Sequence, residues 1–269
     1  MSTYITLGYD DIALAALLLC INAALSAALQ LGLGKRIIIS SMRMVAQLTI
    51  VGLVLKALFV VSSPWLTLLV VAVMIGFAGY EAYARQDRHF TGFWSWGLGV
   101  LSMAVAALLV TMLALGTAVR PDPWYNPQYA IPLLGMVLGN TLTGVSLGLE
   151  RLMASTAQKR SAIEARLLTG ASMQVALKGC VREAMRAGMI PTINAMAATG
   201  VVSLPGMMTG QILAGVEPVD AVKYQLLIMF LIAGGTGIGL TVAVLGGARL
   251  LSDDRHRLRL DRLTPSRDG

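Results

Sequence analysis

A small set of polar and sulfur-bearing side chains stands inside long apolar stretches of the chain, where nothing solvates them. A polar group in such a place is costly and marks either a structural pairing or a route for polar cargo. Arg43 and Gln47 share one helical face, and Lys56 lies about 140° round the same helix; the two cations can also snorkel toward an interface. Glu81 stands one helical turn before Arg85 and suits it as an ion-pair partner. Asn140, Thr141 and Thr143 in one stretch, and Asn194, Thr199, Thr209 and Gln211 in another, offer neutral oxygens. Met196, Met207 and Met208, with Met136 and Met189 nearby, add thioethers, soft ligands suited to Cu(I) but better read as adaptable packing. From these, Arg43, Gln47, Asn140, Thr143, Asn194, Met196, Met207, Met208 and Gln211 form the candidate translocation pathway. No His, Cys and carboxylate cluster falls within an apolar stretch; His89 and His256 lie outside them, so no metal ligand set is assigned. Catalytic motifs are absent as well. The run GTGIG at Gly235 to Gly239 has no preceding strand and reads as packing, and no Walker A motif occurs, so this chain holds no nucleotide cofactor of its own.

The elements that position these groups follow from composition. Apolar residues make up 56% of 269 and charged residues only 13%, with a mean hydropathy of +0.73. A soluble domain carries roughly twice that charge. Seven apolar windows are long enough to cross a bilayer: 10–32, 37–62, 64–84, 93–118, 129–149, 191–215 and 221–248. The segment 1–11 has acidic Asp10 and Asp11 and no basic residue, which predicts that the first window stays as a span. With the N-terminus outside, 17 of 21 basic residues fall on the cytosolic side and only Arg120 and Lys223 on the outer side. The expectation is therefore an all-α, multi-pass inner-membrane protein with seven spans, N-terminus out and C-terminus in. The transmembrane domain covers 1–249, with a basic cytosolic tail at 250–269. The net charge of +7 is accounted for by this topology, so nucleic acid is not an expected partner, whereas membrane lipids are.

Between the fifth and sixth windows lies the polar stretch 150–190. Within it Met173, Leu177, Val181, Ala184 and Met185 fall on one helical face, while Gln174, Lys178, Arg182 and Arg186 step by four along another. Such a helix lies on anionic headgroups or fits a groove on a cytosolic partner. Gly135/Gly139, Gly144/Gly148, Gly206/Gly210 and Gly235/Gly239 are spaced four apart, which lets helix backbones approach closely, within one chain or across a homodimer. Pro132 and Pro205 are expected inside spans, where they bend a helix and free carbonyls.

The segment Glu164-Ala165-Arg166-Leu167-Leu168-Thr169-Gly170 resembles the loop by which bacterial ABC permeases contact their ATPases. More specific are Pro191-Thr192-Ile193-Asn194, then Ser203 to Gly215, with Tyr224-Gln225-Leu226 and Met229 to Ile232. Together with Arg43, Gln47, Leu48, Gly52, Gly139, Asn140, Glu164, Gly170, Ala171 and Ser172, these resemble the FetB-type permeases, membrane subunits of a bacterial ABC transporter linked to iron export. Plant relatives are tied to aluminium tolerance, with a nucleotide sugar proposed as substrate. The resemblance spans the chain, although 53–130 matches only in hydropathy. It implies a homodimer docked on a separate ATPase that binds ATP and Mg, with Glu164, Ala165, Gly170, Lys178, Arg182 and Arg186 as coupling residues. The cargo it implies is iron or another metal; an organic anion drawn by Arg43 and Lys56 is the alternative, and a non-transporting relay for an ATPase a third reading. It carries over no cargo ligands.

Overall fold

The computed structural model describes residues 8–61, 63–253, 255 and 257–264. Ser62 at the end of window 37–62, Asp254, His256 and the segments 1–7 and 265–269 lie outside the described residues. Among the described residues nine α-helices follow one another: α1 (Tyr9–Ala28), α2 (Gly34–Val61), α3 (Pro64–Ala84), α4 (Phe93–Leu113), α5 (Pro127–Gln158), α6 (Arg160–Leu168), α7 (Met173–Ala198), α8 (Gly206–Leu213) and α9 (Pro218–Leu250). A π-helical turn, Ala114–Val119, prolongs α4. Among the described residues no strand forms beyond isolated bridges.

Local chemistry sets the starts. Pro64, Pro127 and Pro218 open α3, α5 and α9, where a missing N–H costs nothing. The Asn126 side chain caps α5 by accepting from the Gln128 N–H at 3.0 Å. Among the described residues six helices are long and apolar enough to cross a membrane, namely α1, α2, α3, α4 with its π turn, α5 and α9. They correspond to six of the seven windows.

The seventh window, 191–215, is not a single helix. α7 begins in the basic stretch at Met173, passes through Pro191 and stops at Ala198. Gly200 then adopts φ +93, Thr199 bridges to Ser203, and Pro205 stands as the N-cap of α8 rather than inside a span. Proline disfavours the helical conformation of the residue before it, so Leu204 and Pro205 break a run that hydropathy alone would join.

Glycines fix how the helices lie. A Cβ on Gly144 would sit 3.0 Å from the Gly188 carbonyl oxygen, and one on Gly148 3.4 Å from that of Ala184, so α5 and α7 run antiparallel in close contact. Gly144 also faces Thr236 and Gly148 faces Leu240, which makes α9 parallel to α5. α4 runs antiparallel to α9, with Gly246 against Leu98 and Gly235 against Val110, and α3 runs antiparallel to α4, with Gly79 against Val100. Around this α3–α4–α5–α7–α9 bundle Met103, Leu134, Val145, Leu152, Met153, Leu177, Leu240 and Val244 are buried. α1 and α2 pack as a hairpin at its edge, and each buries one described residue, Ser26 and Leu58.

At one end the bundle is tied together by its loops. The Asp87 N–H donates to Glu150 Oε2 at 2.8 Å, joining the α3–α4 loop to α5. The chain after α9 is no free tail over its described part: Phe90 bridges to Leu263, the Thr91 N–H donates to the Arg262 carbonyl, and the Thr264 N–H donates to that of His89. Lys35, Arg36, Arg85, Arg88, the basic residues of 151–186 and those of the described tail therefore gather at this basic end.

Candidate functional site

α5 has 32 residues, about 48 Å of helix, so roughly 18 Å projects beyond a 30 Å hydrocarbon layer. This projection, α6 and the first half of α7 form a helical hairpin at the basic end. The chain reverses between α6 and α7 at Gly170, whose φ of +88 suits a residue without a Cβ. On α7, Met173, Ala176, Leu177, Cys180 and Ala184 are buried, whereas Gln174, Lys178, Arg182 and Arg186 are exposed in one row. Glu164 and Ala165 lie on α6, and Glu164 accepts from Arg160 Nε at 2.8 Å one turn away. All six expected coupling residues thus belong to one hairpin.

Glu183 fastens that hairpin. It sits on α7 and receives Arg151 of α5 at 3.2 Å and Lys159, the residue between α5 and α6. The Lys159 hydrogen bond holds its carboxyl below the usual carboxylate range, with Arg151 adding to the effect. An acidic residue inside a basic row is the signal that would have singled it out.

The opposite end holds a pocket of about 300 Å³ between the start of α5, α8 and the start of α9. Met136, Met207, Gln211, Pro132 and Tyr224 line it. The Gln211 Oε1 atom is buried and has no hydrogen-bond partner, so it is available to a polar guest. Of the expected pathway residues, the pocket gathers Met207 and Gln211. Asn140 and Thr143 lie further along α5; the Asn140 amide donates to the Met136 carbonyl at 2.9 Å, and the Thr143 hydroxyl to that of Gly139 at 3.2 Å. Asn194 and Met196 are exposed on α7, and Met208 is half-buried on α8 beside the pocket residues.

Arg43 and Gln47 are elsewhere. They face a cleft of about 700 Å³ between α2 and α3 at the basic end. There Arg43 pairs with the buried Glu81, Arg85 approaches the same carboxylate at 3.6 Å, and the Arg43 guanidinium lies 5.7 Å from the Phe77 ring centre. Lys56 is thirteen residues further along α2, about 20 Å away. Glu81 thus serves Arg43 across the cleft as well as Arg85 in its own helix, a role that spacing along one helix does not reveal.

The glycines divide. Gly235 and Gly239 are clasped by α4 and α5 side chains, and Gly135 meets Met74 at 3.5 Å. Gly139, Gly206 and Gly210 have nothing within 4 Å of where a Cβ would stand. Among the described residues no group of three or more His, Cys, Asp or Glu could hold a metal ion.

Comparison with known proteins places the chain in a family. The model described as "Uncharacterised protein family (UPF0014)" matches residues 9–251. A Synechocystis protein, "UPF0014 membrane protein slr1647", is 42% identical over 190 residues, 71% of this chain and 73% of its own. The Escherichia coli "Probable iron export permease protein FetB" is 32% identical over 255 residues, 94% of this chain and 96% of its own. The rice "UPF0014 membrane protein STAR2" is 30% identical over 215 residues, 80% of this chain and 73% of its own. No solved structure matches the chain.

Proposed function

We propose, because the chain belongs to the UPF0014 family of membrane proteins, that it is the membrane-embedded permease of a two-component ABC transporter whose ATPase is a separate polypeptide. The observation that carries this reading is the build of α7. Its first half exposes Lys178, Arg182 and Arg186 at the basic end, and its second half runs without interruption into the bundle, clasped at Gly188 between α5 and α9. A rigid helix of this kind carries a push at its docking face toward the break at 199–205 and the Gln211 pocket beyond it. The sequence carries no Walker A motif, and on this reading the push comes from a partner gripping the hairpin on the cytosolic side.

Because α7 is antiparallel to α5 and α9, the α7–α8 segment travels the same layer that they cross. This supports a seventh, broken crossing, and the basic end, set toward the cytosol by the positive-inside rule, puts the N-terminus out and the C-terminus in across a bacterial inner membrane. Broken helices beside a cavity are the usual way to expose backbone to cargo. The open Gly139, Gly206 and Gly210 leave room for a second copy, and a homodimer would enclose the pathway. The favoured cargo is iron or another metal, moved outward, consistent with the name of the Escherichia coli relative. With no tight ligand cluster among the described residues, thioether and amide contacts would bind it weakly enough to release it. The organic-anion alternative asks Arg43 and Lys56 to clasp one cargo, and their separation of about 20 Å opposes this.

The test is the double change Glu164→Ala/Arg182→Glu. Loss of ATPase co-purification and of ATP-dependent metal flux in proteoliposomes, with the melting temperature kept, is the expected result. Retention of both would defeat the docking assignment.

A further inference from the structure

The cleft between α2 and α3 is unlike the rest of the lipid-facing surface. Arg36, Arg43 and Arg85 line it against Glu81 and Asp87, three positive groups against two negative ones, a surplus of one charge. Glu81 is already engaged by Arg43 and Arg85, whereas Arg36 makes no ion pair among the described residues. The surplus repels a metal ion and matches one monoanion. Glu81 and the Phe77 ring also hold Arg43 in place, so less freedom is lost when an anion binds.

Which anion follows from what adjoins the cleft. Arg36 lies in the first turns of α2 and Arg85 caps α3, so the charged rim is at the end of the bundle, the level of lipid headgroups. Arg43 is seven residues, about 10 Å, deeper. Past Gln47 the same stripe of α2 becomes wholly apolar and exposed at Ile50, Val51 and Val54, and Val73 is exposed on α3 opposite. A charged head leading into an apolar track has the pattern of an amphiphile, whereas a soluble phosphate would use only the head. We propose that this cleft binds the phosphodiester headgroup of an anionic phospholipid between Arg36, Arg43 and Arg85, with its acyl chains along the apolar faces of α2 and α3. A lipid seated there ties the peripheral α1–α2 hairpin to the bundle, which few protein contacts do.

The full-length chain is purified in mild detergent and exchanged into mixed micelles with equal phosphatidylglycerol and phosphatidylcholine, and retained lipid is counted by native mass spectrometry. The wild type should favour phosphatidylglycerol by about tenfold, the scale of a charge-assisted contact. Arg36→Gln should lose most of that preference, and Arg36→Gln/Arg85→Gln should reach parity while Arg43 keeps Glu81 paired. Lys56→Gln, at the other end of α2, should behave as wild type. Parity in the wild type, an unchanged preference in the double variant, an equal loss in Lys56→Gln, or displacement of the lipid by an equal concentration of inorganic phosphate would each overturn the proposal.

Discussion

Gly188 offers the sharpest test of how α7 is held. A Cβ there would lie 2.6 Å from the Gly144 carbonyl oxygen and 2.6 Å from Leu240 Cδ1, both far inside ordinary contact. Leucine can rotate away, but the carbonyl belongs to α5 and moves only if the helix moves. Overpacking of this kind costs roughly 2–3 kcal/mol, from which about 1 kcal/mol of improved helix propensity is recovered. Gly188→Ala should therefore destabilise by about 1–2 kcal/mol. Gly179, on the exposed side of the same helix with nothing within 4 Å, should gain up to about 1 kcal/mol on the same change. Thermal unfolding of the two variants in one detergent should then differ by on the order of 5–10 °C at this chain length. Equal melting temperatures would show that α7 does not thread the α5–α9 gap as closely as its backbone requires.

Other outcomes follow from the same contacts. Gln211→Leu removes a buried oxygen that has no partner, so the melting temperature should hold or rise while metal flux falls roughly tenfold; unchanged flux would remove this residue from the pathway. The Glu183 carboxyl is held low by Lys159, so its clamp contributes above the ordinary carboxylate pKa and is lost as pH falls through the lowered folded value. Between about pH 5 and pH 3, Glu183→Gln should thus lose less thermal stability than wild type, and parallel losses would mean that the ion pairs contribute nothing. Leu263→Asp breaks the contact with the buried Phe90, and limited proteolysis should begin cutting between 251 and 264; resistance equal to wild type would mean that the tail is held by other contacts.

Long apolar runs made most of the fold legible, and α1 to α5 and α9 end within a few residues of punctuation visible in the sequence, such as Ser63-Pro64 and Glu217-Pro218. The gathering of basic residues at one end was readable from charge alone, and contacts such as Asp87 with Glu150 bring the loops there together. The window 191–215 misled because averaging hydropathy hides the Gly200 and Pro205 breaks, and because Met173 to Ala198 joins a basic and an apolar segment in one helix. The alternation of Leu258, Leu260 and Leu263 with arginines held a signal that the tail packs, outweighed by its charge. Pairings that span many residues, Glu183 with Arg151 and Lys159 or Arg43 with Glu81, leave no local periodicity to find. For the same reason Arg43 and Gln211 entered one pathway set in the sequence although they line different cavities.

Sidedness of the α5–α7 hairpin decides the account as a whole. Arg182→Cys in a Cys20→Ala background, with the buried Cys180 left in place, gives one reactive thiol on the docking face. A membrane-impermeant maleimide should label it in inverted vesicles and leave it untouched in intact cells. Labelling in intact cells would put the arginine row on the outer surface, beyond reach of any cytosolic ATPase.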